Sequence, residues 1–341
     1  MAQSNIHILA IESSCDDTSA AVSLNTKILS NVISTQKIHE KYGGVVPELA
    51  SRAHLQNIIP VVDQALEISK ITLDKIDAIA FTKGPGLLGS LLVGTSFAKS
   101  LSLALNKPLI DVNHMKAHIL AHFIDNIENK KPDFPFLCLT VSGGHTQIVR
   151  VDSPYKFEIL GTTIDDAAGE AFDKCAKIVG LPYPGGPQVD RLAQAGNPLK
   201  FEFSKPNVEG LNYSFSGLKT SFLYFLEKER RKNYRFIEDN LEDLCASLQN
   251  TILDILFSKL EKAVLETGIH QIAIAGGVSA NKGLRKRLSE YEENKKWNVY
   301  IPEFQFCTDN AGMIAVAAYY QYLNQDFANL EVQSQARIEA W

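Results

Sequence analysis

The stretch ILAIESSCDDTSAAV, Ile8 to Val22, is an apolar strand, a turn of small and polar residues, a Thr and a second apolar strand. The same plan returns in LCLTVSGGHTQIV, Leu137 to Val149. Each reads as a β-hairpin whose tip offers backbone N–H groups and hydroxyls. Two such hairpins, one in each half, imply a duplicated fold with a cleft between the halves.

Outward from the hairpins, apolar runs bounded by turn residues alternate with helical patterns. IHILAI, IDAIAF, PLIDV, FPFLCLTV, HTQIVRV and IHQIAIAG read as strands. The stretches 47–69, 89–105, 237–267 and 312–323 read as helices, which makes the chain α/β. The polar stretch NIENKKPD, Asn126 to Asp133, is the candidate junction. The expected division is a first lobe over 1–126 and a second over 127–308, with a C-terminal helix near 309–325 packing back onto the first.

The 341 residues are 45% hydrophobic and 21% charged, enough to bury the cores of two domains and too apolar for disorder. A net charge of −5 argues against a strongly basic nucleic-acid binder, although KERRKNYR from Lys228 and NKGLRKRL from Asn281 are locally basic. No apolar run approaches the roughly 20 residues of a membrane span, so no membrane role is expected. The first strand begins almost at once and leaves no room for a signal peptide. Five scattered cysteines without a CxxC exclude a disulfide framework and fit a reducing cytoplasm.

Glycine-rich turns occur at Thr82 to Ser90, Thr140 to Thr146, Pro182 to Asp190 and Ile274 to Asn281. Glycine lets backbone approach a ligand closely, and helix N-termini offer N–H groups to phosphate. Together these turns point to a nucleotide, yet no GxxxxGK[ST] P-loop and no GxGxxG is present. VNHMKAHILAH, from Val112, sets His114, His118 and His122 on a four-residue step, the spacing of one helical face. The glutamate of an HExxH protease is missing, which weighs against a metalloprotease. A third ligand has to come from elsewhere, and FCTDNAGMIA offers Asp309. Asp309 serves equally well as a plain helix N-cap. If it meets His114 and His118, the three make a two-His-one-carboxylate site for Zn²⁺ or Fe²⁺, with His122 one turn too far to join. Asp16 and Asp17 lie at the first hairpin tip. Asp165, Asp166, Glu170 and Asp173 lead into a helix, where they complement its dipole or accept hydrogen bonds from a ribose or a substrate amine.

Ten stretches in order from Ile11 to Ala315 resemble the bacterial tRNA threonylcarbamoyladenosine transferase family, once described as O-sialoglycoprotein endopeptidases. They are IESSCDDT, KYGGVVPELASRAH, GPGLLGSLLVG, NHMKAHILAH, VSGGHTQIV, DDAAGEAFDKCAK, YPGGPQVD, YSFSGLKT, AGGVSANKGLR and FCTDNAGMIA. The resemblance implies a two-lobed actin-like ATPase (ASKHA) fold, with duplicated mixed sheets flanked by helices and a nucleotide cleft between the lobes. It implies one divalent ion, Fe²⁺ or Zn²⁺, on His114, His118 and Asp309. It implies adenylate contacts from Thr140, Val141, Ser142, Gly143, Gly144, Asp173, Gly186, Asp190 and Asn281, with Asp16 assisting transfer. The implied reaction moves a threonylcarbamoyl group from threonylcarbamoyl-adenylate to N6 of the adenosine 3′ of the anticodon in tRNAs reading A-starting codons. The implied partners are tRNA, a smaller paralogous subunit without the metal motif, and a P-loop ATPase. The helix 47–69 is a candidate interface. Lys116 stands where the family often has an acidic residue, on the side of the helix away from the metal face. A small-molecule kinase of the same superfamily and a non-enzymatic scaffold are the rivals, and neither needs the two histidines.

Overall fold

The computed structural model describes residues 5–125, 130–206 and 208–338. Residues 126–129 of the candidate junction lie outside the described residues. Two compact units are present, Met1–Lys131 with Pro302–Trp341, and Pro132–Ile301.

The first unit holds strands β1 (His7–Glu12), β2 (Asp17–Leu24), β3 (Lys27–Thr35), β4 (Ala78–Gly84) and β5 (Leu109–Asn113), in the order β3-β2-β1-β4-β5. β1, β2 and β3 form an antiparallel meander, and β4 and β5 add in parallel on the other side of β1. Helices α1 (Pro47–Ser69) and α2 (Leu88–Leu105) supply the parallel crossovers, and α3 (His114–Leu120) follows β5 directly. Ala50, His54, Ile58, Val61, Val62 and Ala65 recur at helical spacing on α1 and are its buried residues. Ile58, Val61, Val62 and Ala65 pack with Leu9, Ile11, Val22, Ile79 and Phe81 of the sheet. Among the described helices, α2 alone is long and apolar enough to cross a membrane, and it packs against α1 and β4.

The second unit repeats the plan. Strands β6 (Phe136–Val141), β7 (Thr146–Ser153) and β8 (Lys156–Thr162) form the meander, and β9 (Gln271–Ala275) and β10 (Asn298–Tyr300) add in parallel, giving the order β10-β9-β6-β7-β8. The weak echo between the two hairpins is thus a repeat of a whole five-stranded topology. Helices α4 (Ala168–Ile178), α5 (Gly185–Ala193), α6 (Ser216–Lys232), α7 (Phe236–Asp239), α8 (Leu241–Thr267) and α9 (Lys282–Lys295) complete the unit. The pattern from Ile237 to Thr267 predicts one helix, whereas the chain leaves helical geometry at Asn240 (φ −130°) and divides it into α7 and α8.

Helix α10 (Ala311–Leu323) belongs to the first unit, where it packs against β1, β2, β3, β5 and α3. Both faces of β1 are therefore covered, which is why it reads as an unbroken apolar run. The tail beyond α10 runs back along the sheet. Ala328 N–H donates to the Leu109 carbonyl and Gln335 N–H to that of Lys83, and the Gly86 N–H donates to Ala336. The glycine turn Thr82 to Ser90 thus spends its backbone on the tail and on Ser14, to which Leu87 N–H donates at 2.7 Å. In this turn glycine answers to packing within the chain. Gly84 has φ +151°, and a Cβ there would meet the Gln335 carbonyl oxygen at 1.9 Å. Gly84→Ala is expected to lift the tail and cost about 1–3 kcal/mol. The measurement is a lowered melting temperature together with new protease cleavage after residue 324.

Candidate functional site

β1, β4 and β5 run parallel as neighbours, so their carboxyl ends lie side by side, the usual place for a site in an open α/β sheet. β5 ends at Asn113, whose side chain accepts hydrogen bonds from the N–H groups of Met115 and Lys116 and caps α3. His114 is therefore the first residue of α3, and His118 follows one turn later on the same face. At the start of α10 the same division of labour recurs. Asn310 caps the helix by accepting from Met313 N–H at 3.0 Å, which leaves Asp309 free of that duty. Asp309 Oδ1 lies 3.1 Å from Nε2 of His118 and 3.4 Å from Nε2 of His114. The three ligand atoms all lie within 4.8 Å of one another, and the two imidazoles meet edge to face at 4.7 Å between centroids. His122 sits on the 3₁₀ turn that follows α3 and is not in this group.

The sequence reading passed over Glu12. It is fully buried at the end of β1, and its Oε2 accepts from Thr82 Oγ1 at 2.6 Å and lies 3.0 Å from Nδ1 of His114. Its Oε1 accepts from Ser14 N–H, and Ser14 Oγ stands 3.3 Å from the same His114 nitrogen. The available signal was a lone carboxylate closing an otherwise apolar strand. Burial pulls His114 down, but Asp309 and Glu12 outweigh it and raise the imidazole to about 10. Burial would push Glu12 and Asp309 up, yet His114 holds both carboxyls below the ordinary range. Burial lowers His118 beyond what Asp309 restores. The His114 ring thus stands between two carboxylates that favour its charged form.

These residues fit a divalent ion. Two imidazoles and a carboxylate converge on one point, each offering a ligand atom within 4.8 Å of the others. Asp309 keeps 27% of its side chain exposed, which leaves one side of the group open.

The hairpin tip between β1 and β2 is held from both helices. Ser13 Oγ donates to the Ser90 carbonyl, Ser90 Oγ donates to that of Cys15, and His54 bonds Thr18 Oγ1 at 2.8 Å and the Cys15 carbonyl at 3.0 Å. Asp16 lies at this tip, half-buried. Burial first, then the nearby carboxylates, push the Cys15 thiol far above its ordinary range.

The second unit carries the other expected residues, at the tip of its own hairpin and around the starts of α5 and α9. Thr140 and Val141 end β6 and are buried; Ser142, Gly143 and Gly144 turn the chain. Gly169 N–H donates to the Ser142 carbonyl, placing the start of α4 at that turn. Asp173 Oδ1 accepts from the N–H groups of Gly185 and Gly186 at 2.7 and 3.1 Å and so holds the start of α5. Asp190 accepts from Lys282 and Gly283 N–H at the start of α9, where Asn281 is the cap and also donates to Gln249. These side chains thus serve helix N-termini first. Lys174 pairs with both Asp166 and Glu170, and Asp165 accepts four hydrogen bonds from Ser214, Phe215 and Ser216. The acidic run before α4 is therefore largely structural. At Gly143 and Gly144 the backbone has ordinary φ, and a Cβ would meet nothing within 4 Å. Neither conformation nor internal packing asks for glycine there, and the open space leaves both backbones accessible to close approach.

Residues 27–316 match the family model described as TsaD: tRNA N6-adenosine threonylcarbamoyltransferase. The chain belongs to this family. A curated relative of that name in Christiangramia forsetii is 61% identical over 339 residues, covering 99% of this chain and all of the relative. Another in Riemerella anatipestifer is 60% identical over 332 residues, 97% of each chain. Among solved structures, full-length HypF in its phosphate- and nucleotide-bound form superposes with a TM-score of 0.62 at 15% identity, covering 92% of this chain and 46% of HypF. That likeness concerns the fold, and with the two repeated mixed sheets it establishes the actin-like ATPase (ASKHA) class.

Asp17, opposite Thr35 in the β2–β3 ladder, carries a buried Oδ1 without a partner. Burial first, with Asp309, Asp16 and Glu12 adding and Thr35 opposing, pushes it from 3.8 to about 7. A raised folded-state value means stability present below 3.8 that is lost as pH climbs through about 7. In protein stripped of metal with EDTA, Asp17→Asn is expected to escape this loss. Its melting temperature should gain on wild type across that window, by on the order of a few degrees, and stay level above it. A pH-independent difference would mean that Asp17 ionises in the fold without cost.

Proposed function

We propose that this chain transfers the threonylcarbamoyl group of threonylcarbamoyl-adenylate to N6 of the adenosine 3′ of the anticodon in tRNAs reading A-starting codons, releasing AMP. The observation that carries the reading is family membership over 27–316 with His114, His118 and Asp309 brought together. In the reaction the N6–carbonyl bond forms and the carbonyl–phosphate anhydride bond breaks, with AMP as the leaving group. An aromatic amine is a weak nucleophile, so positioning and charge stabilisation do most of the work.

His114, His118 and Asp309 hold one divalent ion of the Fe²⁺ or Zn²⁺ class, which when bound supplies Lewis-acid activation and a template for the acyl donor. Asp16 accepts the proton given up by the amine. On the adenylate side, the Thr140–Val141–Ser142–Gly143–Gly144 turn and Gly186 bring backbone close to the ligand. The Oδ2 of Asp173 takes a ligand hydroxyl, while Asp190 and Asn281 shape the α9 turn beside it. Support comes from the open space at Gly143 and Gly144 and from the carboxylate-held helix N-termini.

The partners follow from the same reading: tRNA, a smaller paralogous subunit of the same fold, and a P-loop ATPase, all in the cytoplasm. The five free thiols fit that compartment. The paralogous subunit is assigned to the outer face of α1 and α2. Those two helices pack together and expose Leu55 (65%), Ile59 (65%), Leu92 (49%) and Leu103 (68%).

The test is nucleoside mass spectrometry on tRNA from cells depleted of the protein. Threonylcarbamoyladenosine is expected to collapse, to return with wild type, and to stay ~100-fold or more below it with His114→Ala. An unchanged level in depleted cells would end the transferase reading. Separately, Leu55→Glu with Ile59→Glu is expected to abolish co-elution with the paralogous subunit on size exclusion while the melting temperature of the isolated chain stays put. Retained co-elution would move the interface elsewhere.

A further inference from the structure

We propose that Glu12, steadied by Thr82, is a positioning residue for the metal centre: it accepts the Nδ1–H of His114 and so presents Nε2 as the metal-binding nitrogen. The inference rests on the reading of His114, His118 and Asp309 as ligands. A metal-bound imidazole works only in the tautomer whose other nitrogen carries the proton, and a hydrogen-bonded carboxylate both selects that tautomer and raises ligand basicity.

The geometry supplies each part of this device. Glu12 Oε2 is 3.0 Å from Nδ1 of His114, while Nε2 of the same ring faces Asp309 at 3.4 Å, so the ring spans the two carboxylates. Thr82 Oγ1 donates to the same Oε2 at 2.6 Å and leaves that oxygen only one direction for the imidazole. The other oxygen is taken by Ser14 N–H. The strand register makes this possible: Ile11 pairs with Phe81 and Thr82 with Val112, so Glu12, Thr82 and His114 leave three adjacent strand ends together.

A purely structural role accounts poorly for Glu12. A fully buried carboxylate is costly, and an apolar residue of similar size would fill the same space at lower cost. Among the described residues no lysine or arginine pairs with it, and the ring that reaches it is His114. Charge counting agrees. A dication with Asp309 alone leaves one buried positive charge, and Glu12 brings the total to zero. His118 lacks such a partner, its Nδ1 being buried and unbonded. The two histidines are therefore unequal, with His114 the ring that is held in place beforehand.

The experiment is Zn²⁺ titration of the full-length, metal-stripped chain against a chromophoric chelator, using wild type, Glu12→Gln, Thr82→Val and His114→Ala. Wild type is expected to bind one zinc per chain and His114→Ala to lose that site. Glu12→Gln should weaken affinity roughly 10–100-fold and Thr82→Val by a smaller factor. In ¹⁵N-histidine-labelled, zinc-loaded protein, the His114 Nδ1–H proton should sit far downfield in wild type and move upfield in Glu12→Gln. A role in folding alone would not produce that signature. Wild-type zinc affinity and an unmoved proton in Glu12→Gln would overturn the positioning role and leave the ligand set standing. No zinc uptake by wild type, or full uptake by His114→Ala, would remove the ligand set and this inference with it. Should Glu12→Gln not fold, Thr82→Val decides, because unchanged affinity there also overturns the proposal.

Discussion

A carboxylate with no exposure to water must be matched by a positive charge and by hydrogen bonds, or the fold loses several kcal/mol. Glu12 imposes that constraint at the end of β1, and much of the surrounding geometry answers it. The β1–β4–β5 register delivers Thr82 and His114 to it, the turn after β1 delivers the Ser14 N–H, and Asp309 closes the far side of His114. The hairpin tip cannot drift from this arrangement, because Ser13, Ser90 and His54 tie it to α2 and α1. Gly94 belongs to the same lock, since a Cβ there would meet Ser13 Oγ at 2.4 Å. The family motifs IESSCDDT, GPGLLGSLLVG and NHMKAHILAH are thus three strands of one packing problem.

The two units share a topology and divide the chemistry. In the first, the strand ends carry imidazoles and carboxylates; in the second, the corresponding hairpin carries glycines and meets the N-terminus of α4. Helix N-termini favour anions, and here those of α5 and α9 are partly satisfied by Asp173 and Asp190, while that of α4 is met by Thr146 Oγ1 and the Ser142 carbonyl, which fixes these turns. Preorganisation of this kind lowers the entropy cost of holding a phosphate-bearing donor.

Much of the fold was legible in the sequence because its central strands are continuous apolar runs and its long helices have clear faces. The edge strands β3 and β8 were not, since their half-exposed residues mix polar and apolar without a clean alternation. The break at Asn240 was hidden because Asn is tolerated inside helical patterns. At the site, the grouping of His114, His118 and Asp309 was legible as spacing plus one loose carboxylate, and the Asn310 cap explains why Asp309 was available. Glu12 was invisible for a physical reason: its partners are 70 and 102 residues away, and only strand register brings them together. The glycine turn at Thr82 to Ser90 looked like the nucleotide turns because glycine serves close approach of any backbone, and there the approaching backbone is the tail.

The unpartnered and crowded polar groups of the first unit are concentrated in one place. Asp17 has an unpartnered buried oxygen, His118 an unpartnered buried nitrogen, and Glu12 and Asp309 share a single imidazolium. Natural folds keep such conflicts where function requires them and satisfy their polar groups elsewhere. Reading His114, His118 and Asp309 as a divalent-ion site would set two positive charges among these carboxylates, with Glu12 and Asp17 close by. Ligand binding to the folded state alone adds to its stability. On that reading, ion binding would be coupled to the stability of the first unit, through carboxylates that no surface salt bridge could replace.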